Sequence, residues 1–136
     1  MRRGSFVTER NRSLLVVEDD DDIRNSLVEA LGEGGWLAFG AANGREALQT
    51  LRAGLAPAVI LLDLRMPVMD GFTFRVTQLA DPTVADIPVV IMSADSEIAE
   101  KAKQLGVEQF LPKPINLDDI FGVATLYCGP GGDGAT

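Results

Sequence analysis

The chain is predicted to fold as an α/β domain, a parallel sheet with helices on both faces. Three observations lead there. Short apolar runs, Leu14–Val17, Ala58–Leu62 and Val89–Met92, are continuous rather than alternating, as in strands buried on both faces. Between them lie segments whose apolar residues recur at helical spacing. The two kinds alternate as five strand-then-helix units, which argues for right-handed parallel crossovers.

Each unit has its own signals. After Leu14–Val17, residues Ile23, Leu27, Ala30 and Leu31 form a helical stripe that Gly32, Gly34 and Gly35 end. Trp36 to Ala41 is a second strand, expected at an edge. Arg45 to Leu51 is a short helix with Ala47, Leu48 and Leu51 inward. Ala58–Leu62 is the third strand, and Phe72, Val76, Leu79 and Ala80 mark the third helix. Pro88 sets off the fourth strand. Ile98, Ala102 and Leu105 form the fourth helix, closed by Gly106. Gln109 to Leu111 is a brief fifth strand. Asn116 reads as an N-cap, with Asp118 and Asp119 in the first turn where the helix dipole favours negative charge. Leu117, Ile120, Phe121 and Ala124 give the fifth helix its inner face. Residues 1–12 read as a disordered extension or an expression remnant, 13–128 as the domain, and 129–136 as a flexible glycine-rich tail.

Composition narrows the chemistry. The 136 residues fit one domain. A net charge of −8 disfavours direct nucleic-acid binding. There is no histidine and one cysteine, Cys128, read as a small hydrophobe. Their scarcity removes Ser-His-Asp and Cys-His catalysis, His-ligated zinc, and phosphohistidine chemistry on this chain. No apolar run approaches the ~20 residues that span a bilayer. The basic start has no apolar stretch behind it, so no signal peptide is expected and the default location is cytoplasmic.

In open parallel sheets, function gathers at the carboxyl ends of strands near the point where strand order reverses. At those ends stand Glu18, Asp19, Asp20, Asp21 and Asp22 after the first strand, Asp63 after the third, Ser93 after the fourth and Lys113 after the fifth. If strands one and three are neighbours, Glu18, Asp19 and Asp63 converge. Two unit charges ~4 Å apart repel by ~4 kcal/mol at an effective dielectric of 20, so a proton or a cation must relieve them. A hard divalent ion such as Mg²⁺ suits an all-oxygen site. Lys113 adds a fixed positive charge and Ser93 a hydroxyl, and phosphoryl transfer needs little beyond positioning and neutralisation. Asp63 is then a candidate nucleophile. Asp20 to Asp22 read as helix-starting, solvated acids. Met66-Pro67 and Asp70-Gly71 read as turn chemistry. Ser93 has a second reading, as N-cap of the fourth helix. Arg65 and Asp95 are placed at the pocket rim, either as plain surface or as groups that tune water access.

Four segments, LLVVEDDDDIR from Leu14, VILLDLRMPVMDG from Val59, PVVIMSA from Pro88 and FLPKP from Phe110, resemble the response-regulator receiver family in their residues and their order. The resemblance runs from about Leu14 to Tyr127. It implies a flavodoxin-like sheet of order 2-1-3-4-5 with five helices on its two faces. It implies that Asp63 accepts a phosphoryl group from a histidine kinase or phosphotransfer protein. Mg²⁺, or Mn²⁺ in its place, would be bound by Glu18, Asp19, Asp63 and the backbone carbonyl of Arg65. Ser93, Lys113 and Phe110 would stabilise the phosphoryl group and carry the switch, and the bond before Pro114 is often cis in the family. The departures are Glu18 where aspartate is commoner, Phe110 in place of tyrosine, and Glu108-Gln109 in place of the paired aspartates of one large DNA-binding subfamily. The implied protein is a switch that reads out to an unknown downstream partner, not an enzyme, with no membrane or direct nucleic-acid contact. A weak homodimer through the fourth and fifth helices stays an open option. Two alternatives compete. A Mg²⁺-dependent phosphohydrolase with an aspartyl nucleophile wants an acid where Arg65 stands, and an interaction module that takes no phosphate leaves the intact set of side chains unexplained. Nucleotide or flavin binding lacks a G-x-G-x-x-G after the first strand.

Overall fold

A computed structural model of the chain describes residues 13–131. Strands β1 (Ser13–Val17), β2 (Leu37–Ala41), β3 (Val59–Asp63), β4 (Val89–Ser93) and β5 (Gln109–Pro112) alternate with helices α1 (Asp21–Glu33), α2 (Gly44–Arg52), α3 (Gly71–Leu79), α4 (Ile98–Gln104) and α5 (Leu117–Cys128). All neighbouring strands are parallel, in the order β2-β1-β3-β4-β5. The chain therefore winds outward in opposite directions from β1 and β3, and the crevice between their carboxyl ends is the switch point of the sheet. The expected extension, residues 1–12, and residues 132–136 of the expected tail lie outside the described residues.

The three central strands are buried throughout, which is why they are apolar at every position. Leu15, Val17, Ile60, Leu62 and Ile91 pack beneath Ala47, Leu48 and Leu51 of α2, Phe74 of α3, and Ile98 and Ala102 of α4. Leu14, Val16, Leu61, Val90 and Met92 pack beneath Leu27 and Leu31 of α1 and Ile120, Val123 and Ala124 of α5. Each of the Val, Leu, Ile, Met and Phe side chains among them contributes about 1.5–3 kcal/mol when fully buried. Side chains start four of the helices. Asp20, Asn43, Asp70 and Asn116 accept from the N–H groups of Ile23, Glu46, Thr73 and Asp118 at 2.9, 2.9, 2.9 and 2.7 Å.

The third helix turns the opposite way from the expected face. Val76 and Leu79 are 66% and 51% exposed, while Arg75 and Gln78 are buried beside Phe74. The polar heads find fixed partners. Gln78 donates to the carbonyls of Val84 and Ile87 at 3.0 Å each and accepts from Arg75 Nη1 at 2.9 Å. A satisfied polar group can be buried at little net cost, so apolarity did not mark the inner face. Leu117 likewise lies outside the inner face of α5, which Val123 and Cys128 extend instead. Ile23 is also exposed. Trp36 precedes β2 and is buried, its indole N–H donating to the Gly129 carbonyl at 2.9 Å. Gly131 leaves no room for a Cβ beside the Trp36 ring, so the first residues of the expected tail are packed against the domain.

Candidate functional site

The site follows from the register. Val17 and Leu62 are the last paired residues of β1 and β3. Glu18 and Asp63 come next, side by side, and alternation puts both on the face that carries Val16 and Leu61. Glu18 is 1% and Asp63 6% exposed, whereas Asp19 faces solvent. One carboxylate oxygen from each of Glu18, Asp19 and Asp63 lies within 4.8 Å of the others. A cavity of about 490 Å³ is lined by these three acids together with Arg65, Ser93, Asp95 and Lys113.

Lys113 enters from the far edge of the sheet. Its backbone N–H donates to the Ser93 carbonyl at 2.9 Å, and the bond to Pro114 is cis. Its ammonium donates to Glu18 Oε1 at 2.7 Å and lies 3.4 Å from Asp63 Oδ1. Glu18 is held further by the Asp20 N–H, which donates to Oε2 at 3.0 Å. Its own carbonyl accepts from Arg24 Nη1 at 2.9 Å. Burial, then the charge of Glu18, pushes Asp63 up to about 6, with Lys113 only partly opposing them. Burial works against the charge of Lys113, yet the hydrogen bond to Glu18 and the two negative charges outweigh it and hold the ammonium above its ordinary value. The two shifts agree in meaning, since Lys113 leans towards Glu18 and leaves Asp63 short of compensation.

The stretch after β3 is a compact turn. Met69 N–H donates to the Pro67 carbonyl at 2.7 Å across Val68, whose φ is 70°. Gly71 starts α3 against the backbone of the site. Its N–H donates to the Leu64 carbonyl at 3.0 Å, and a Cβ there would collide with the Asp63 carbonyl and approach Leu64 Cα to 2.9 Å.

Ser93 is buried, and its Oγ accepts the Asp95 N–H at 3.0 Å. That bond closes a local turn. The N-cap of α4 is Glu97, which makes no side-chain capping bond, so the capping role considered for Ser93 is not the one observed. Arg65 and Asp95 do meet at the rim, Nη2 to Oδ2 at 3.3 Å, and Lys101 Nζ reaches the same oxygen at 3.3 Å. The Glu97 N–H donates to Asp95 Oδ1 at 2.8 Å. This bond, with Lys101 and Arg65, holds the Asp95 carboxyl below its usual range. Lys101 was not anticipated, though a lysine six residues beyond a strand-end acid, one turn into a helix, is the available signal. Phe110 stands apart. It pairs with Ile91, two residues before Ser93 on the same face, and is exposed at the edge of the sheet.

Three carboxylates around one opening, with a lysine behind them, form an oxygen-only donor set suited to a hard divalent cation. The raised Asp63 value reports the same need for positive charge. The arrangement can concentrate cations at a half-neutralised carboxylate, the setting in which a phosphoryl group can be received.

The model of the response regulator receiver domain matches residues 14–125. Response regulator MprA of Mycolicibacterium vanbaalenii is 34% identical over 109 residues, covering 79% of this chain and 46% of that protein. The DNA-binding transcriptional regulator NtrC of Escherichia coli is 39% identical over 107 residues, covering 76% of this chain and 22% of that protein. Among solved structures, a response regulator receiver protein from Pseudomonas putida is similar at a TM-score of 0.77 and 28% identity, covering 85% of this chain and 97% of that one. The chemotaxis response regulator CheY4 of Vibrio cholerae is similar at 0.75 and 27%, with 85% and 97% covered. The chain spans less than half the length of these curated relatives.

Proposed function

The chain belongs to the response regulator receiver domain family, and from that premise we propose that Asp63 is the phospho-acceptor of a two-component switch formed by residues 13–128. The observation that carries this reading is the placement of Asp63 and Glu18 on one rung with Lys113 Nζ between them, at 3.4 and 2.7 Å.

Asp19 and Asp63 would hold Mg²⁺, or Mn²⁺, directly, with the Arg65 carbonyl beside them. Glu18 would act through a water ligand, because both of its oxygens already accept hydrogen bonds. When bound, the ion neutralises charge on the phosphoryl oxygens. An Asp63 oxygen attacks phosphorus in line. The O–P bond forms as the N–P bond to the donor histidine breaks, and the imidazole nitrogen leaves with the electron pair. Lys113 then has a new anion within reach and shifts part of its bonding from Glu18 to it. The Ser93 hydroxyl, whose oxygen already accepts from Asp95 N–H, donates a hydrogen bond to a phosphoryl oxygen. Drawing Ser93 inward opens space on the face it shares with Phe110, which turns from its exposed edge position. The surface of β4, β5 and α4 changes as a result, and a downstream protein that binds the changed surface more tightly shifts the population. In this reading the donor is a histidine kinase or phosphotransfer protein, the compartment is the cytoplasm, and the domain works as a switch rather than a turnover catalyst.

The test is intact mass after incubation with Mg²⁺ and acetyl phosphate, beside Asp63→Asn. The expected result is one added phosphoryl group that needs Mg²⁺ and is absent from the variant. No adduct with Mg²⁺ bound would overturn the reading, and steady phosphate release would favour a hydrolase.

A further inference from the structure

Arg75 is a buried cation that the chemistry at Asp63 does not use. It is 8% exposed, and no carboxylate lies against it among the described ion pairs. Its fork is spent on the end of another helix. Nε donates to the Leu105 carbonyl at 3.0 Å and Nη2 to the Gly106 carbonyl at 3.2 Å, both just past α4. Nη1 is held by Gln78, which is itself fixed to the 84–87 loop. Charged, buried, bidentate bonds to carbonyls at a helix C-terminus are strong and directional.

The other end of α4 is held differently. Glu97 caps it without a side-chain bond. Ile98 packs without direction, and the Lys101–Asp95 pair is a partly exposed ion pair of the weak kind. Helix α3 is meanwhile locked to the site, because Gly71, one turn before Arg75, sits against the backbone of Asp63 and Leu64. The C-terminal end of α4 is thus tied through α3 to the frame of the site, whereas the end beside Ser93 hangs, through Asp95, on the switch hydroxyl itself.

We propose that Arg75 is the pivot of the switch: α4 swings about its C-terminal end, anchored to α3 by Arg75, when Asp63 is phosphorylated. Arg75 is a positioning residue, and the inference rests on the phospho-acceptor reading above. Displacement is greatest at Glu97–Glu100 and least at Leu105–Val107.

The test is backbone amide NMR on the full chain with Mg²⁺, before and after acetyl phosphate, with intact mass taken on the same sample. In the wild type, shift changes at residues 97–101 should be severalfold larger than at 105–107. Arg75→Met should let the change spread to 105–107 at equal phosphorylation. Arg75→Lys, a point charge with no fork, should lie between the two, and it decides the matter with the wild-type pattern if the methionine variant does not fold. An adduct with equal changes at both ends, or a wild-type pattern retained in the variants, overturns the pivot alone. An absent adduct overturns the phospho-acceptor reading and the pivot with it.

Discussion

Lys113 Nζ approaches Glu18 Oε1 to 2.7 Å, and this contact ties the end of β5 to the end of β1 across β3 and β4. The longer acid at position 18 has the reach to meet the ammonium. Asp63, one residue past β3's last contact with β1, receives the weaker contact at 3.4 Å and stays partly uncompensated. Asp63 therefore rests in a state that favours arriving positive charge.

Removing that ammonium should expose how much it stabilises. Lys113→Met leaves Glu18, 1% exposed, beside Asp63 with no cation. Breaking a buried pair from one side costs about 3–5 kcal/mol, and the open mouth of the site reduces this to about 2–3. The deficit should shrink as pH falls towards 6, because without the ammonium Asp63 takes up its proton at a higher pH than the wild-type value of about 6. Urea midpoints at two pH values, without divalent ions, test both parts.

Asp63→Asn should do the reverse. The folded value of about 6 lies above the ordinary value of 3.8, so the folded state binds the proton more tightly. Stability contributed by this group is then complete below 3.8, falls as pH rises between the two values, and is lost above 6. At neutral pH without divalent ions the variant should be more stable than wild type by about 1–2 kcal/mol, after allowance for solvent at the mouth. Near pH 4 the difference should vanish. Equal stabilities at neutral pH would show that Lys113 already neutralises both acids.

Much of this was legible in the residues. Strands β1, β3 and β4 are buried on both faces, so their uninterrupted runs announced them, and the polar residue ending each run was conspicuous for that reason. Once β1 and β3 were neighbours, Glu18 and Asp63 had to converge. What escaped were features where polarity and burial part company. Arg75 donates to backbone carbonyls 30 and 31 residues on, and Gln78 to carbonyls 6 and 9 residues on, and no local pattern encodes those partners. The edge strand β5 is exposed along most of its length, so Phe110 could not be placed from apolarity alone. The role of Ser93 turned on a two-residue bond to Asp95 that serine chemistry permits in several geometries.

Asp19 is exposed, and its side chain makes no hydrogen bond or ion pair among the described residues, so Asp19→Asn should leave stability within about 0.5 kcal/mol of wild type. Its effect should appear on metal. With one of three carboxylates made neutral, Mg²⁺ affinity should fall about tenfold or more. Titration calorimetry, or the rise of the melting temperature with added Mg²⁺, measures it. Unchanged affinity would remove Asp19 from the ligand set.

Gly71→Ala tests whether the start of α3 is seated on the site. The added methyl has no space beside the Asp63 carbonyl and Leu64 Cα, both backbone and unable to swing aside. A loss of about 1–3 kcal/mol is expected, as for other forced overpacking, although alanine is the better helix former. Because the shift must fall on the Asp63 backbone, acetyl phosphate should also load the variant more slowly at a temperature where it is fully folded. Destabilisation without slower loading would mean that α3 moves and β3 does not.

Arg65→Ala separates stability from chemistry at the rim. The Arg65–Asp95 pair is surface exposed on the arginine side, and Lys101 still satisfies Asp95 when Arg65 is gone. Stability should change by less than about 0.5 kcal/mol. The arginine side chain nevertheless bridges the ends of β3 and β4 at the rim of the cavity that Asp63 lines, and on the phospho-acceptor reading hydrolysis of the adduct needs a water to arrive in line. Its removal should shorten the lifetime of the phosphorylated chain severalfold, read as the decay of the adduct by intact mass after the phosphodonor is removed. Asp95→Ala frees Arg65 from the rim and should shorten the lifetime in the same direction. Lifetimes that match wild type in both variants would make the pair a plain surface contact.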